Sequence, residues 1–347
     1  MKRFALPLVA LCLSLGVAVA PAEAQDNAGL SLRERLALRR AAAHAEHAHA
    51  EHAHAAGPLA AGTHTIEVAH QGQTRQVVVH VPARLNPAQA APLVLALHGG
   101  GGSAEHMADD ARYGLIGKSD RAGFVVAFPN GHSRFPGGRF ATWNAGGCCG
   151  DARDSHTDDV GFLRAVVAQL NARLHLDANR IYATGMSNGG MMAHRLACEA
   201  ADLFAAVASV AGTEAVEACR PARPIAVLHI HARNDTHVLF NGGAGPDAFR
   251  DASKVMDFVS VPETVARWVQ RNQCQPTPVR TLDAPGAVCE VHAGCAAGNV
   301  SVQLCVVDEG GHSWPGAQAV RRGKEAPTQA LVANDVIWSF FQTHSRR

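Results

Sequence analysis

Six short runs of mostly apolar residues recur along the chain, at 92–97, 123–128, 180–184, 206–210, 225–230 and 300–307. Apolar runs this short, without polar alternation, suit strands covered on both faces, as in a parallel sheet with helical crossovers. Helical spacing of apolar residues fills several of the gaps, at 159–174, 188–198 and 261–270, and returns at 328–343. An alternating pair at 65–68 and 76–81 opens the series as an antiparallel hairpin. The pattern predicts an α/β fold: a mostly parallel sheet of about eight strands with helices on both faces.

Before residue 62 the sequence has a different character. Lys2 and Arg3 precede an apolar stretch over 4–20, and Ala22-Glu23-Ala24 offers small residues before Gln25. Residues 1–24 therefore read as a secretory signal peptide, too short and too soon interrupted to span a bilayer. The mature chain is expected to be secreted or periplasmic and free of the membrane after cleavage. Residues 25–61 form an N-terminal segment with a short amphipathic helix over 27–43 and a low-complexity tract after it. In that tract His44, His47, His49, His52 and His54, with Glu46 and Glu51, offer a weak surface site for a divalent metal. An alanine-rich linker is the simpler reading. Residues 62–347 read as one large domain.

Of nine cysteines, Cys12 leaves with the signal, so eight remain in an exported chain. An even count there reads as disulfides rather than a zinc site, since two separated Cys-x-x-Cys knuckles are lacking. Spacing favours a local Cys198–Cys219 pair, with Cys274–Cys295 and Cys289–Cys305 formed among the last four. Cys148 and Cys149 are adjacent and form either a vicinal bridge or two bridges to elsewhere. The near balance of 31 Lys+Arg against 30 Asp+Glu removes the basic footprint of a nucleic-acid binder.

Chemistry concentrates where the apolar runs end. The run at 180–184 passes into Gly185-Met186-Ser187-Asn188-Gly189-Gly190, which opens a helical pattern. A serine at a strand-to-helix turn, with glycine two residues to either side, is the nucleophile elbow of an acyl-transfer site. The run at 92–97 ends in His98 and four glycines, Gly99 to Gly102, whose backbone N–H groups can face a developing oxyanion. Gly100 and Asn188 are the expected donors. A phosphate loop would need Gly-Lys-Ser/Thr where Ser103-Ala104-Glu105 stands. Asp235 follows the run at 225–230 and is preferred as the acid over Asp247 and Asp257, which follow no buried strand. Asp158 and Asp159 read as a helix N-cap and first-turn carboxylate rather than metal ligands. His312 lies on a glycine-flanked loop after the run at 300–307, completing the order Ser187, Asp235, His312.

These motifs resemble the α/β-hydrolase esterases of the polyhydroxybutyrate depolymerase and feruloyl esterase-like family. The resemblance covers about residues 62–347. It rests on Leu97-His98-Gly99, Trp143-Asn144-Ala145-Gly146-Gly147-Cys148-Cys149, Asp158-Asp159-Val160-Gly161-Phe162, the elbow, Leu228-His229-Ile230-His231 before Asp235, and Gly310-Gly311-His312-Ser313-Trp314-Pro315-Gly316. It implies a serine carboxylester hydrolase with a Ser187, Asp235, His312 triad, no cofactor, and a small-molecule or oligomeric ester as partner. Hydroxyalkanoate oligomers and aryl, feruloyl-type esters are the expected substrates. Relatives usually carry Gly-Thr where Ala232-Arg233 stands, so Arg233 is expected to favour an acidic ester. Trp143 and Trp314, with Phe135 and Phe140, are candidates for an acyl or aryl subsite. No adsorption module reads in the sequence, which fits soluble esters better than solid polyester. The alternatives are a serine peptidase on the same fold and an exported His-rich metal-binding protein with a non-catalytic hydrolase domain.

Overall fold

The structure is a computed structural model that describes residues 57–346 apart from 87, 249–255 and 319–324. The expected signal peptide, the helix over 27–43 and the histidine tract with its metal site lie outside the described residues.

The first two strands, β1 (Gly62–His70) and β2 (Gln73–Val81), form a hairpin closed by Gln71 and Gly72. Both turn residues have positive φ, the conformation that matches a two-residue loop to the strand twist. Beyond it run β3 (Ala91–Leu97), β4 (Val125–Pro129), β5 (Leu176–Met186), β6 (Ala206–Val210), β7 (Ala226–Ala232), β8 (Val279–Ala284), β9 (Ala287–His292) and β10 (Val302–Val307). All join one sheet, in the order β1-β2-β4-β3-β5-β6-β7-β10-β9-β8. The middle six strands are parallel, and the antiparallel pairs sit at the two ends.

Among the described residues the sheet has ten strands where about eight were expected, because the hairpin β8–β9 extends it past β10. β8 is an edge strand with most side chains in solvent, and Val279 is 63% exposed. No apolar run betrays such a strand.

Every residue of β3, β4, β6 and β7 is buried. Successive side chains serve opposite faces: Leu93, Leu95 and Leu97 pack into one core and Val94 and Ala96 into the other. Five helices of eight residues or more cover these faces among the described residues: α1 (Leu115–Ala122), α2 (Asp159–Asn171), α3 (Asn188–Glu199), α4 (Val261–Arg271) and α5 (Ala333–Gln342). α2, α3 and α4 supply Phe162, Leu196 and Trp268 to the first core, while α1 and α5 supply Leu115, Ile337 and Phe341 to the second. Asp158 caps α2 by accepting from the Gly161 amide at 2.8 Å, as an N-cap should. The expected helix over 328–343 begins only at Ala333. Its first residues instead run along the 315–316 loop, with the Gly316 amide on the Thr328 carbonyl at 2.8 Å.

Parallel register sets the loops beside one another. Leu97 pairs with Gly185, Val210 with Ile230, and Ala232 with Val307. The segments that follow these pairs emerge at the same edge of the sheet, where α/β proteins place their ligands.

Among the described residues four disulfides are present: Cys148–Cys149, Cys198–Cys219, Cys274–Cys295 and Cys289–Cys305. The adjacent cysteines thus bridge each other rather than distant partners. Cys198–Cys219 closes a loop across 21 residues, and chain-entropy reasoning gives such a bridge about 3 kcal/mol. Replacing both cysteines by alanine is expected to lower unfolding free energy by about that amount in guanidinium titrations. An unchanged midpoint would contradict it.

Candidate active site

Ser187 sits between the end of β5 and the start of α3 with φ 55° and ψ −122°. A non-glycine residue held there carries strain of about 1–3 kcal/mol. The turn is locked by the Ser187 amide on the Val210 carbonyl and the Met191 amide on the Ser187 carbonyl, both at 2.8 Å. The flanking glycines are steric necessities. A Cβ at Gly185 would strike the Gly189 carbonyl, and one at Gly189 would strike the Leu97 carbonyl. The sequence therefore forces the serine side chain outward at a helix N-terminus, where negative charge is favoured.

The glycine loop after β3 is braced from beneath. His98 is fully buried; its Nδ1 lies 2.8 Å from the Gly99 carbonyl and its Nε2 accepts from the Gly131 amide at 2.9 Å. Those partners require the neutral ring with the proton on Nδ1. Trp143, also fully buried, donates its indole N–H to the His98 carbonyl at 3.0 Å. The Asn188 side chain makes two hydrogen bonds with the Trp143 backbone, at 2.7 and 2.9 Å, fastening this loop to the elbow. Gly101 and Gly102 spend their amides on the Ala141 and Gly99 carbonyls. Gly100 makes neither bond and lines the cavity beside Ser187 and Asn188.

Asp235 and His312 arrive on the loops after β7 and β10. His312 Nδ1 lies 2.8 Å from Asp235 Oδ2, while Asp235 Oδ1 accepts the His237 and Val238 amides at 2.8 and 3.0 Å. His231 Nε2 stands 3.3 Å from the same Oδ2. Burial alone would raise the Asp235 carboxyl, but the His312 charge and the hydrogen bonds from His231 and His312 outweigh it. The group is held well below the usual carboxylate range and stays ionised. The His237 ring stacks on His312 with centroids 4.4 Å apart.

Ser187, His312, Gly100 and Asn188 line one cavity of about 640 Å³. Its apolar wall is made by Tyr113, Phe140, Met186, Met191, Val238 and Phe258, and the vicinal disulfide touches it through Cys149. Such a set can carry acyl transfer: a serine poised by strain, an imidazole oriented by a buried carboxylate, and amides for an oxyanion.

Of the five expected substrate contacts, Trp143, Trp314 and Arg233 do not line the cavity. Trp143 is buried under the glycine loop. Trp314 is 2% exposed, with its indole on the Asn334 side chain and its ring against Tyr113. Arg233 points outward to Asp308 at 3.3 Å, so it does not face the cavity. The wall is built instead from a short helix at Tyr113, the end of β5 at Met186, α3 at Met191, and loops that carry Phe140, Val238 and Phe258. Phe140 does line the cavity and is 60% exposed, whereas Phe135 packs on its outer side. Asp247 reaches the rim, bonded by Thr236 Oγ1 at 3.1 Å, but Asp235 is the carboxylate against His312. Sequence reasoning also missed His237 and gave His231 no role, although His229 and His231 share a strand face by their spacing of two.

Two sets of side chains among the described residues are close enough to share a cation. Cys198, Glu214 and Cys219 form one, but both sulfurs are consumed by their disulfide. Asp235, His237 and His312 form the other, in which Asp235 Oδ2 already pairs with His312 Nδ1. Among the described residues no helix is long and apolar enough to cross a membrane.

Burial also makes the site acid-sensitive. It drives His98 from an ordinary 6.5 to about 4 and His194 to about 3, and it takes His229 well below its ordinary value. The unfolded chain accepts protons below about 6.5 that the folded chain refuses, so stability must fall as pH drops from there toward 4 and 3. Each such ring adds a slope of about 1.4 kcal/mol per pH unit. Guanidinium midpoints should therefore be clearly lower at about pH 5 than at about pH 7.5, and equal midpoints would contradict this.

Comparison with known proteins adds the wider context. The family model described as Esterase PHB depolymerase matches residues 79–265. Feruloyl esterase B of Piromyces equi is 33% identical over 244 residues, covering 69% of this chain and 42% of that protein. The putative esterase NocK of Nocardia uniformis subsp. tsuyamanensis is 35% identical over 271 residues, covering 75% of this chain and 76% of that protein. The chain thus spans less than half of the first relative and about three quarters of the second. Among solved structures, an acetyl xylan esterase from Aspergillus awamori superposes with a TM-score of 0.53 at 15% identity, over 81% of this chain and 99% of that one. Native sOPH superposes with a TM-score of 0.51 at 18% identity, over 80% and 92%. At these identities the likeness is one of fold, and that fold is the α/β hydrolase.

Proposed function

The chain belongs to the Esterase PHB depolymerase family, and from that premise we propose that it is an exported serine carboxylester hydrolase. Residues 62–347 are its esterase domain, and residues 1–24 its cleaved signal. The observation that carries the reading is the pairing of buried Asp235 with His312, 2.8 Å apart, on the cavity that also holds the strained Ser187. Relatives named for feruloyl ester cleavage, and the aromatic and sulfur-rich cavity wall, support hydroxyalkanoate oligomers or aryl esters as substrates. Four disulfides support export to an oxidising compartment.

The reaction has two halves. Ser187 Oγ attacks the ester carbonyl as its proton passes to His312 Nε2, and Asp235 stabilises the imidazolium that results. The amides of Gly100 and Asn188 hold the tetrahedral oxyanion. Collapse expels the alcohol, which takes the proton back from His312 and leaves an acyl-serine. Water then loses a proton to His312 as it adds to that acyl group, and the acid leaves as Ser187 regains its hydrogen. A panel of methyl ferulate, 3-hydroxybutyrate oligomers, acetylated xylan and peptides tests the reading. Turnover of the first two classes is expected. Cleavage of peptides alone, or of none of these, would overturn it.

A further inference from the structure

Behind the acid lies a buried row of aromatic nitrogens that the reaction does not use. His229 and His231 project from β7 toward the face covered by α3 and α4, and His194 on α3 and Trp268 on α4 extend the row. The exposures of these four side chains are 1% or less. Trp268 Nε1 is 3.0 Å from His194 Nδ1, His194 Nε2 is 3.3 Å from His229 Nδ1, and His229 Nε2 is 3.1 Å from His231 Nδ1. The row ends with His231 Nε2 at 2.8 Å from the Val238 carbonyl and 3.3 Å from Asp235 Oδ2.

An indole nitrogen can only donate and the Val238 carbonyl can only accept, and these two ends orient the whole row in one sense. His194 Nδ1 must accept, so its proton is on Nε2 and points at His229. The same step repeats through His229 to His231, whose N–H is left facing Val238 and Asp235. A backbone hydrogen bond with Gly212 also holds the His194 ring. Burial keeps His194 and His229 neutral, so the donor–acceptor sense is not broken by a second proton.

We propose that His231 is a positioning residue for the acid, its tautomer set by the Val238 carbonyl at one end and by Trp268 through His194 and His229 at the other, so that an N–H always meets the Asp235 oxygen shared with His312. The inference rests on the reading of Asp235 and His312 as acid and base. No proton moves along the row. Its effect is electrostatic: the donor lowers the proton affinity of the carboxylate, and the opposite tautomer would turn a lone pair on it. The charged and titratable groups around this end are His312, His237 and His231 at Asp235, with Arg271 and its partner Glu214 beyond His194.

The test compares His231→Leu with His231→Gln, whose amide N–H can reach the same oxygen, and adds Trp268→Phe at the far end. The leucine variant should lose about tenfold in kcat, with KM little changed, and move the acid limb of kcat/KM about one unit upward. The glutamine variant should recover most of both effects, and Trp268→Phe should move the limb the same way by less. Imidazole nitrogen NMR of the unmodified enzyme should find His194, His229 and His231 all protonated on Nε2 at about pH 7. An unmoved acid limb, equal losses in the two His231 variants, or His231 protonated on Nδ1 would overturn the proposal. If the leucine variant does not fold, Trp268→Phe and the NMR spectrum decide. Absence of esterase activity in the unmodified enzyme would instead strike the underlying reading, whatever the tautomers.

Discussion

Ser187→Ala is expected to lower kcat for p-nitrophenyl butyrate by about a millionfold, with binding and thermal stability nearly unchanged. The substitution removes one oxygen from a residue whose backbone is fixed by other means. The Ser187 amide and carbonyl stay bonded to Val210 and Met191, and Gly185 and Gly189 still allow the close approach of chains. What disappears is the covalent route itself. The Gly100 and Asn188 amides would still hold an oxyanion, so a small residual rate over water should survive. A loss of less than about a hundredfold would mean that the nucleophile is another group.

Asp235→Asn should cost about ten-thousandfold in kcat by reversing the tautomer of His312. The His237 and Val238 amides both donate to Oδ1, so the carboxamide oxygen of asparagine is drawn to that side. Its NH2 then takes the place of Oδ2, facing His312 Nδ1 and His231 Nε2. His312 can accept from that NH2 only by moving its proton to Nε2, which leaves no lone pair to receive the Ser187 proton. The prediction is a large fall in kcat at an almost unchanged KM near neutral pH. A variant retaining more than a tenth of the activity would show that the carboxylate does not orient the base.

Much of this organisation is legible in the sequence because burial leaves a mark. The strands β3, β4, β6 and β7 are buried along their whole length and announce themselves as apolar runs. The ends of β3, β5 and β10, with glycines around His98, Ser187 and His312, point to the loops that meet at the sheet edge. Features written in contact rather than in pattern stay hidden. β8 exposes its side chains and carries no apolar signal. The helical residues between 104 and 122 fall into three short pieces broken at Asp109 and Gly114, too brief for a helical period to declare itself. The substrate wall is harder still, because Tyr113, Met191, Val238 and Phe258 come from four separate segments and converge only in three dimensions. Trp143 and Trp314 stand inside the motifs themselves, yet their indole N–H groups are spent on His98 and Asn334 as internal braces. A motif marks where chemistry is anchored, and the residues that select a substrate need not be part of it.

The central claim, that Ser187 is the nucleophile activated by His312, is tested most directly by labelling with a fluorophosphonate and mapping the adduct by peptide mass spectrometry. One equivalent on Ser187 is expected, with labelling lost in Ser187→Ala and strongly slowed in His312→Ala. Labelling of any other residue, or none in a protein that hydrolyses esters, would contradict the account.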